Sequence, residues 1–154
     1  MLELPPLNLP AAQLQCKICD DGVRRVYDAL RRKFVALTPE EWVRQHFVAY
    51  MTGELGYPAA LMGNEVGITL NGTSRRCDTV LFSRNGLVPL MIVEYKAPHI
   101  EITQRVFDQI VRYNMVLHAR WLVVSNGMRH FCCEIDYEKR GVRFLSNVPR
   151  YAEL

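Results

Sequence analysis

Long apolar runs are missing from this 154-residue sequence: none approaches the ~20 residues that a membrane-spanning helix needs. The first residues, Met1-Leu2-Glu3-Leu4-Pro5-Pro6, have neither a basic start nor an apolar stretch, so no secretory leader is expected. Glycine-rich phosphate loops are absent, with no GxxxxGK[ST] and no GxGxxG, and no G-x-S-x-G nucleophile turn occurs. These absences argue against common nucleotide-binding and serine-hydrolase designs, and the length leaves no room for an ATP-driven motor. The four histidines show no metal-ligand spacing. Five cysteines are an odd number and do not form a disulfide framework. Reduced thiols, and hence a cytoplasmic protein, fit better. Cys16 and Cys19 make a lone CxxC without the second pair that a zinc site requires.

What is present is ordinary globular composition, 49% hydrophobic and 23% charged, enough for one domain spanning 1–154 with its own core. Residues 1–12 are rich in Pro and Leu and read as an extended arm. Nineteen Lys+Arg against sixteen Asp+Glu give +3, which permits nucleic-acid binding without demanding it. Arginine comes in doublets at Arg24-Arg25, Arg31-Arg32 and Arg75-Arg76; phosphate contacts and a solvated face are both open readings.

Residues 13–37 read as short strands about a bend, around 23–27 and 33–37. Thr38-Pro39-Glu40-Glu41 then opens a helix: Thr at the N-cap, Pro at N1 and Glu at N3 form a capping box. The helix runs to about Leu55 with Val43, Phe47, Tyr50 and Met51 on its apolar face, and Gly56 stops it. Strands follow at 65–70, 77–83 and 88–95, separated by turn signals at Asn71-Gly72 and Asn85-Gly86. The third is apolar on both faces up to Val93, as a covered central strand should be. A second helix is expected from about Thr103 to His118, with Val106, Ile110, Tyr113 and Leu117 inward. Further strands are expected at 121–125, at 130–135 with the adjacent Cys132 and Cys133 facing opposite ways, and at 142–145. The order predicts an α/β fold with a mixed sheet.

The third strand ends Glu94-Tyr95-Lys96. Alternation puts Glu94 and Lys96 on one face with Leu90 and Ile92, and Tyr95 on the other. Antiparallel pairing about position 86 sets Asp78 opposite Glu94, so Asp78, Glu94 and Lys96 fall into one cluster. Two carboxylates without a nearby His or Cys favour a hard cation, Mg²⁺ or Mn²⁺, able to hold a phosphate oxygen and activate water. A plain carboxylate–lysine ion pair at a strand end is the other reading.

Asp78, fifteen residues, then Glu94-Tyr95-Lys96 resembles the D-xn-E-x-K signature of the PD-(D/E)XK nuclease superfamily. Arg76-Cys77-Asp78-Thr79-Val80 followed by Ile92-Val93-Glu94-Tyr95-Lys96-Ala97-Pro98 resembles the N-terminal nuclease domain of type I restriction enzyme R subunits. Gln109-Ile110-Val111-Arg112-Tyr113 matches that family's downstream Q-x3-Y motif. Leu37 to Gln45, with Glu54-Leu55-Gly56-Tyr57-Pro58, is similar to the first helix of its small stand-alone relatives. The resemblance covers about residues 24–135. It implies a restriction-endonuclease-like core of order α-β-β-β-α-β, with Asp78 and Glu94 as Mg²⁺ ligands and Lys96 as base or water-orienting group. It implies DNA as substrate, with a second copy or a restriction-system subunit as a further partner. An acid on the first helix is also implied; Glu41 is the nearest candidate, although its place in the capping box is the preferred reading. Tyr95 departs from the smaller residue expected there. Gln109 and Tyr113 stack on one side of the second helix, whose first turns should lie near the metal. Two readings of Tyr113 stay open, core packing and a DNA contact. The alternative to a DNA endonuclease is an inactive nucleic-acid- or protein-binding module of the same fold.

Overall fold

The computed structural model describes residues 4–85 and 88–154; the turn expected at Asn85-Gly86 falls on Gly86 and lies outside them. A small antiparallel sheet comes first: β1 (Cys16–Ile18), β2 (Arg24–Asp28) and β3 (Lys33–Ala36). Helix α1 (Pro39–Gly53) follows. Then come β4 (Met62–Leu70), β5 (Thr73–Phe82), β6 (Pro89–Tyr95), helix α2 (Gln104–Met115), β7 (Trp121–Ser125), β8 (His130–Asp136) and β9 (Gly141–Leu145). The last six strands form one sheet in sequence order. All its neighbours are antiparallel except β6 and β7, which α2 connects in parallel. This is a mixed-sheet α/β fold with a helix on each face.

Alternation along the central strands divides the core in two. Met91, Val93 and Tyr95 pack with Val43, Phe47 and Met51 of α1. Ile92 packs with Phe107 and Val111 of α2. Cys132 joins the α1 side and Cys133 the α2 side, as their adjacency in a strand requires. Asn71 and Gly72 both have positive φ, 50° and 77°, so the β4–β5 turn has the backbone that Asn-Gly favours.

Among the described residues the N-terminal arm pairs with no strand and lies against α1 and the β7–β8 turn. The Trp42 indole donates to the Pro5 carbonyl at 2.9 Å and the Asn8 N–H to Gly127 O at 2.8 Å. Gly127 has φ +83°, a conformation that favours glycine, and a Cβ there would crowd the Leu7 side chain of the arm and Val43 of α1.

Helix α2 departs from the expectation. Its buried residues are Phe107, Val111 and Asn114; Val106 and Ile110 are half-buried and Tyr113 is 44% exposed. The helix crosses the strands. Near its start Phe107 meets the rings of Phe131 and Phe144 on β8 and β9, and near its end Asn114 reaches Cys77 on β5. That path turns the stripe one residue away from the one expected, and Tyr113 is not core.

Candidate active site

The β5–β6 register pairs Thr79 with Val93, Val80 with Ile92 and Leu81 with Met91. One step further sets Asp78 beside Glu94, as the pairing about position 86 requires. The Asp78 carboxylate closes the ladder itself: Tyr95 N–H donates to its Oδ2 at 2.9 Å.

The backbone prepares that position. Between the pairs Asn64–Thr79 and Val66–Cys77 stands Glu65, with φ +54°. A left-handed conformation in a non-glycine residue costs roughly 1–2 kcal/mol. Cys77 and Val80 both pack toward α2 although strict alternation would separate them, so the sheet faces change over at this point. Such irregularities re-aim a side chain next to functional sites. The Glu65 carboxylate is held by Arg44 Nη1 at 2.7 Å and Arg76 Nε at 2.6 Å.

Glu94 is the electrostatic centre. Burial, then the charge of the neighbouring Asp78, pushes its carboxyl up to about 9, with the Asn114 amide acting in the opposite direction. Its Oε1 is buried without a hydrogen-bond partner. A half-buried carboxylate pair with one buried, orphaned oxygen is costly on its own. The pair suits a hard cation. Among the described residues no three His, Cys, Asp or Glu side chains form a closed metal cage; Mg²⁺ commonly takes one or two carboxylates and fills its shell with water and substrate oxygens.

Lys96 donates its N–H to Ser125 O at 2.9 Å, which carries the chain out of β6. Its side chain is half-buried and makes no ion pair among the described residues. Tyr95 points to the other face. It is 2% exposed, packs on Phe47 and donates its hydroxyl to Thr79 Oγ1 at 2.9 Å.

For the acid on α1, the preferred reading of Glu41 as a capping residue holds in part. Thr38 accepts from Glu41 N–H at 3.0 Å, which is half of a capping box, but Thr38 N–H donates to Ala36 O instead of to Glu41. The Glu41 carboxylate is buried and receives Arg31 at 2.6 Å, Arg44 at 2.8 and 2.9 Å and Gln45 at 3.0 Å. Burial alone would raise it, yet the Arg44 and Gln45 bonds hold it below the ordinary glutamate range. Glu41 is therefore structural. Its neighbour Glu40 is exposed and within electrostatic reach of the site: desolvation first, then the Asp78 charge, raises its pKa, and Arg44 and Lys96 oppose the rise.

Sequence reasoning also missed Arg44 and Asn114. Arg44 is 6% exposed and donates to Asp78 O at 3.0 Å. Its neighbours Val43 and Phe47 on the apolar face were the only hint in the sequence, since helical periodicity reads an arginine as solvent-facing. Gln109 is exposed. The Arg75 guanidinium lies 4.6 Å over the Tyr113 ring and donates to Tyr113 O at 3.2 Å. The last turn of α2, not its first, lies nearest the carboxylates, because the helix starts over β8 and β9.

This sheet, these two covering helices and the acidic pair at the exit of the central strand define a restriction-endonuclease-like α/β domain. A family model for the type I restriction enzyme R protein N terminus matches residues 39–149. The chain belongs to that family, which implies a nuclease-related role. The match opens on the first residue of α1, so the arm and the small sheet precede it. A comparison with curated proteins found no match. No helix among the described residues is long and apolar enough to cross a membrane.

Proposed function

We propose that the protein is a Mg²⁺-dependent DNA endonuclease that hydrolyses phosphodiesters, a counterpart of the R-subunit N-terminal domain acting in the cytoplasm. The observation that carries this reading is the orphaned, buried Glu94 Oε1 beside Asp78. Asp78 and Glu94 would hold Mg²⁺ or Mn²⁺, with Glu40 at the rim. When bound, the ion supplies Lewis-acid polarisation of the phosphodiester. Asp78 is preorganised by Tyr95 N–H and by Arg44 on its carbonyl. Lys96 leaves the same strand with a free ammonium, which orients the attacking water and takes up charge developing on the phosphate oxygens. Gln109 and Tyr113, exposed on α2, position the DNA. Cutting both strands calls for two sites, so a second copy or a restriction-system subunit completes the reaction.

Plasmid cleavage tests the reading. The parent should nick supercoiled DNA with Mg²⁺ or Mn²⁺ and fall silent with EDTA. Asp78→Ala, Glu94→Ala and Lys96→Ala should lose cleavage while keeping the fold by circular dichroism. A Lys96→Ala protein that cuts at the parent's rate overturns the assignment. A parent that binds DNA but never cuts it points to the inactive module.

A further inference from the structure

Strands β4 and β5 remain paired far past the point where β6 leaves them. Their register continues from Val66–Cys77 through Ile68–Arg75 to Leu70–Thr73, whereas β6 pairs with β5 only from Thr79 to Phe82. Residues 66–77 therefore form a two-stranded ribbon that extends roughly 15 Å beyond Asp78 at ~3.4 Å per residue, at the end of the sheet where Glu94 and Lys96 emerge.

The two faces of this ribbon differ. Val66, Ile68 and Leu70 turn toward α2 and its hydrophobic cluster. Arg75 bonds the Tyr113 carbonyl and Cys77 meets Asn114. An isolated hairpin is marginal in water; α2 braces this one. The opposite face carries Gly67, Thr69, Ser74 and Arg76, all exposed. Thr69 and Ser74 share a hydroxyl hydrogen bond of 2.9 Å across the strands. The ribbon contains two arginines and no acid, and the carboxylate at its root, Glu65, is already neutralised by Arg44 and Arg76.

Gly67 supplies an independent observation. Its φ is not positive, and a Cβ placed there meets nothing within 4 Å. Neither backbone nor packing calls for glycine, and glycine weakens a strand. A bare strand position of this kind leaves room for another molecule to approach the backbone closely.

We infer that the Gly67–Thr69–Ser74–Arg76 face lies along the major groove of duplex DNA while the root of the ribbon brings a phosphate to Asp78 and Glu94. The inference rests on the nuclease reading for its substrate. A two-stranded ribbon fits the ~12 Å width of the major groove. Small side chains let the ribbon backbone approach the bases, hydroxyls donate and accept there, and Arg76, paired with Glu65 through Nε but 72% exposed, reaches the phosphates with its remaining donors.

Binding of a short labelled duplex in Ca²⁺, followed by fluorescence anisotropy, tests this. Gly67→Glu and Ser74→Glu should each weaken binding about tenfold, whereas Lys139→Gln, which lowers net charge equally at the far end of the sheet, should stay within about twofold. Arg76→Gln, with no added bulk, should also weaken binding and reduce its salt dependence by about one counterion. The parent should protect guanine N7 from methylation, and Ser74→Glu should lose that protection. Ribbon variants that bind like Lys139→Gln, a parent that ignores duplex DNA, or contact confined to phosphates would each overturn the inference. A parent that shows the expected ribbon dependence yet never cleaves with Mg²⁺ or Mn²⁺ supports the ribbon and defeats the nuclease reading.

Discussion

Arg44 of α1 donates to the main-chain carbonyl of Asp78 across 3.0 Å, while its other donors occupy Glu41 and Glu65. One buried guanidinium thus joins helix, hairpin root and the first acid of the site. The network continues through Arg31 to Asp28, which also accepts from Asn64 at 2.9 Å, so the small sheet is tied to the same point.

Removing that guanidinium leaves Glu41 and Glu65 without their shared partner. Arg44→Ala should lose about 3–5 kcal/mol of stability, read from urea unfolding. Arg44→Lys keeps the charge but cannot span three acceptors in a plane. It should retain the fold and still show weakened Mn²⁺ binding by paramagnetic relaxation.

Glu94 sets a pH dependence in the metal-free protein. Its carboxyl titrates at about 9 in the folded state against an ordinary 4.5. The folded protein therefore holds a proton that the unfolded chain releases. This contribution is fully present below 4.5 and is lost as pH rises toward about 9. Unfolding in EDTA across that range should show stability falling with pH. Glu94→Gln should flatten the slope, and an unchanged slope would refute the assignment.

The adjacent acids on α1 should behave differently. Glu41→Gln should cost roughly 3 kcal/mol, because it strips charge from a buried pair with Arg31 and Arg44. Glu40→Gln removes a like charge beside Asp78 and should leave stability unchanged or slightly raised. It should weaken Mn²⁺ binding and cleavage. The two variants are compared by thermal melting and metal titration; the reverse order of effects would exchange their roles.

Exposure of Tyr113 makes its substitution clean. Tyr113→Phe keeps the ring under Arg75 and should melt with the parent, as should Gln109→Ala. Both are expected to lower DNA affinity or cleavage. Parental binding and cutting in both variants would reduce the Q-x3-Y pattern to an exposed helix edge.

Much of the architecture was legible from the residues. Thr38-Pro39 starts α1, Asn71-Gly72 turns β4 into β5, and the apolar run before Glu94 marks the covered central strand. Pairing about position 86 located Asp78 against Glu94 because that register runs from Thr79 to Leu81, beyond a one-residue shift at Phe82 nearer the turn. Less was legible where polar residues go inside. Glu41, Arg44 and Asn114 are buried at 5%, 6% and 3% exposure, each permitted by a partner distant in sequence or by an adjacent turn, and periodicity reads such residues as solvent-facing.

The sequence by itself determined most of the strands, the Asn71-Gly72 turn and the adjacency of Asp78 and Glu94, though not β1, since period-two alternation and tight-turn chemistry act over a few residues. Tertiary structure decided which of Glu40 and Glu41 looks at Asp78 and whether Tyr113 or Asn114 turns inward. Successive helical residues point about 100° apart. A small rotation in docking therefore exchanges neighbours, and that rotation is set by the sheet beneath the helix: α2 crosses from Phe131 and Phe144 to Cys77, and the buried arginine of α1 is drawn to Glu65 and the Asp78 carbonyl.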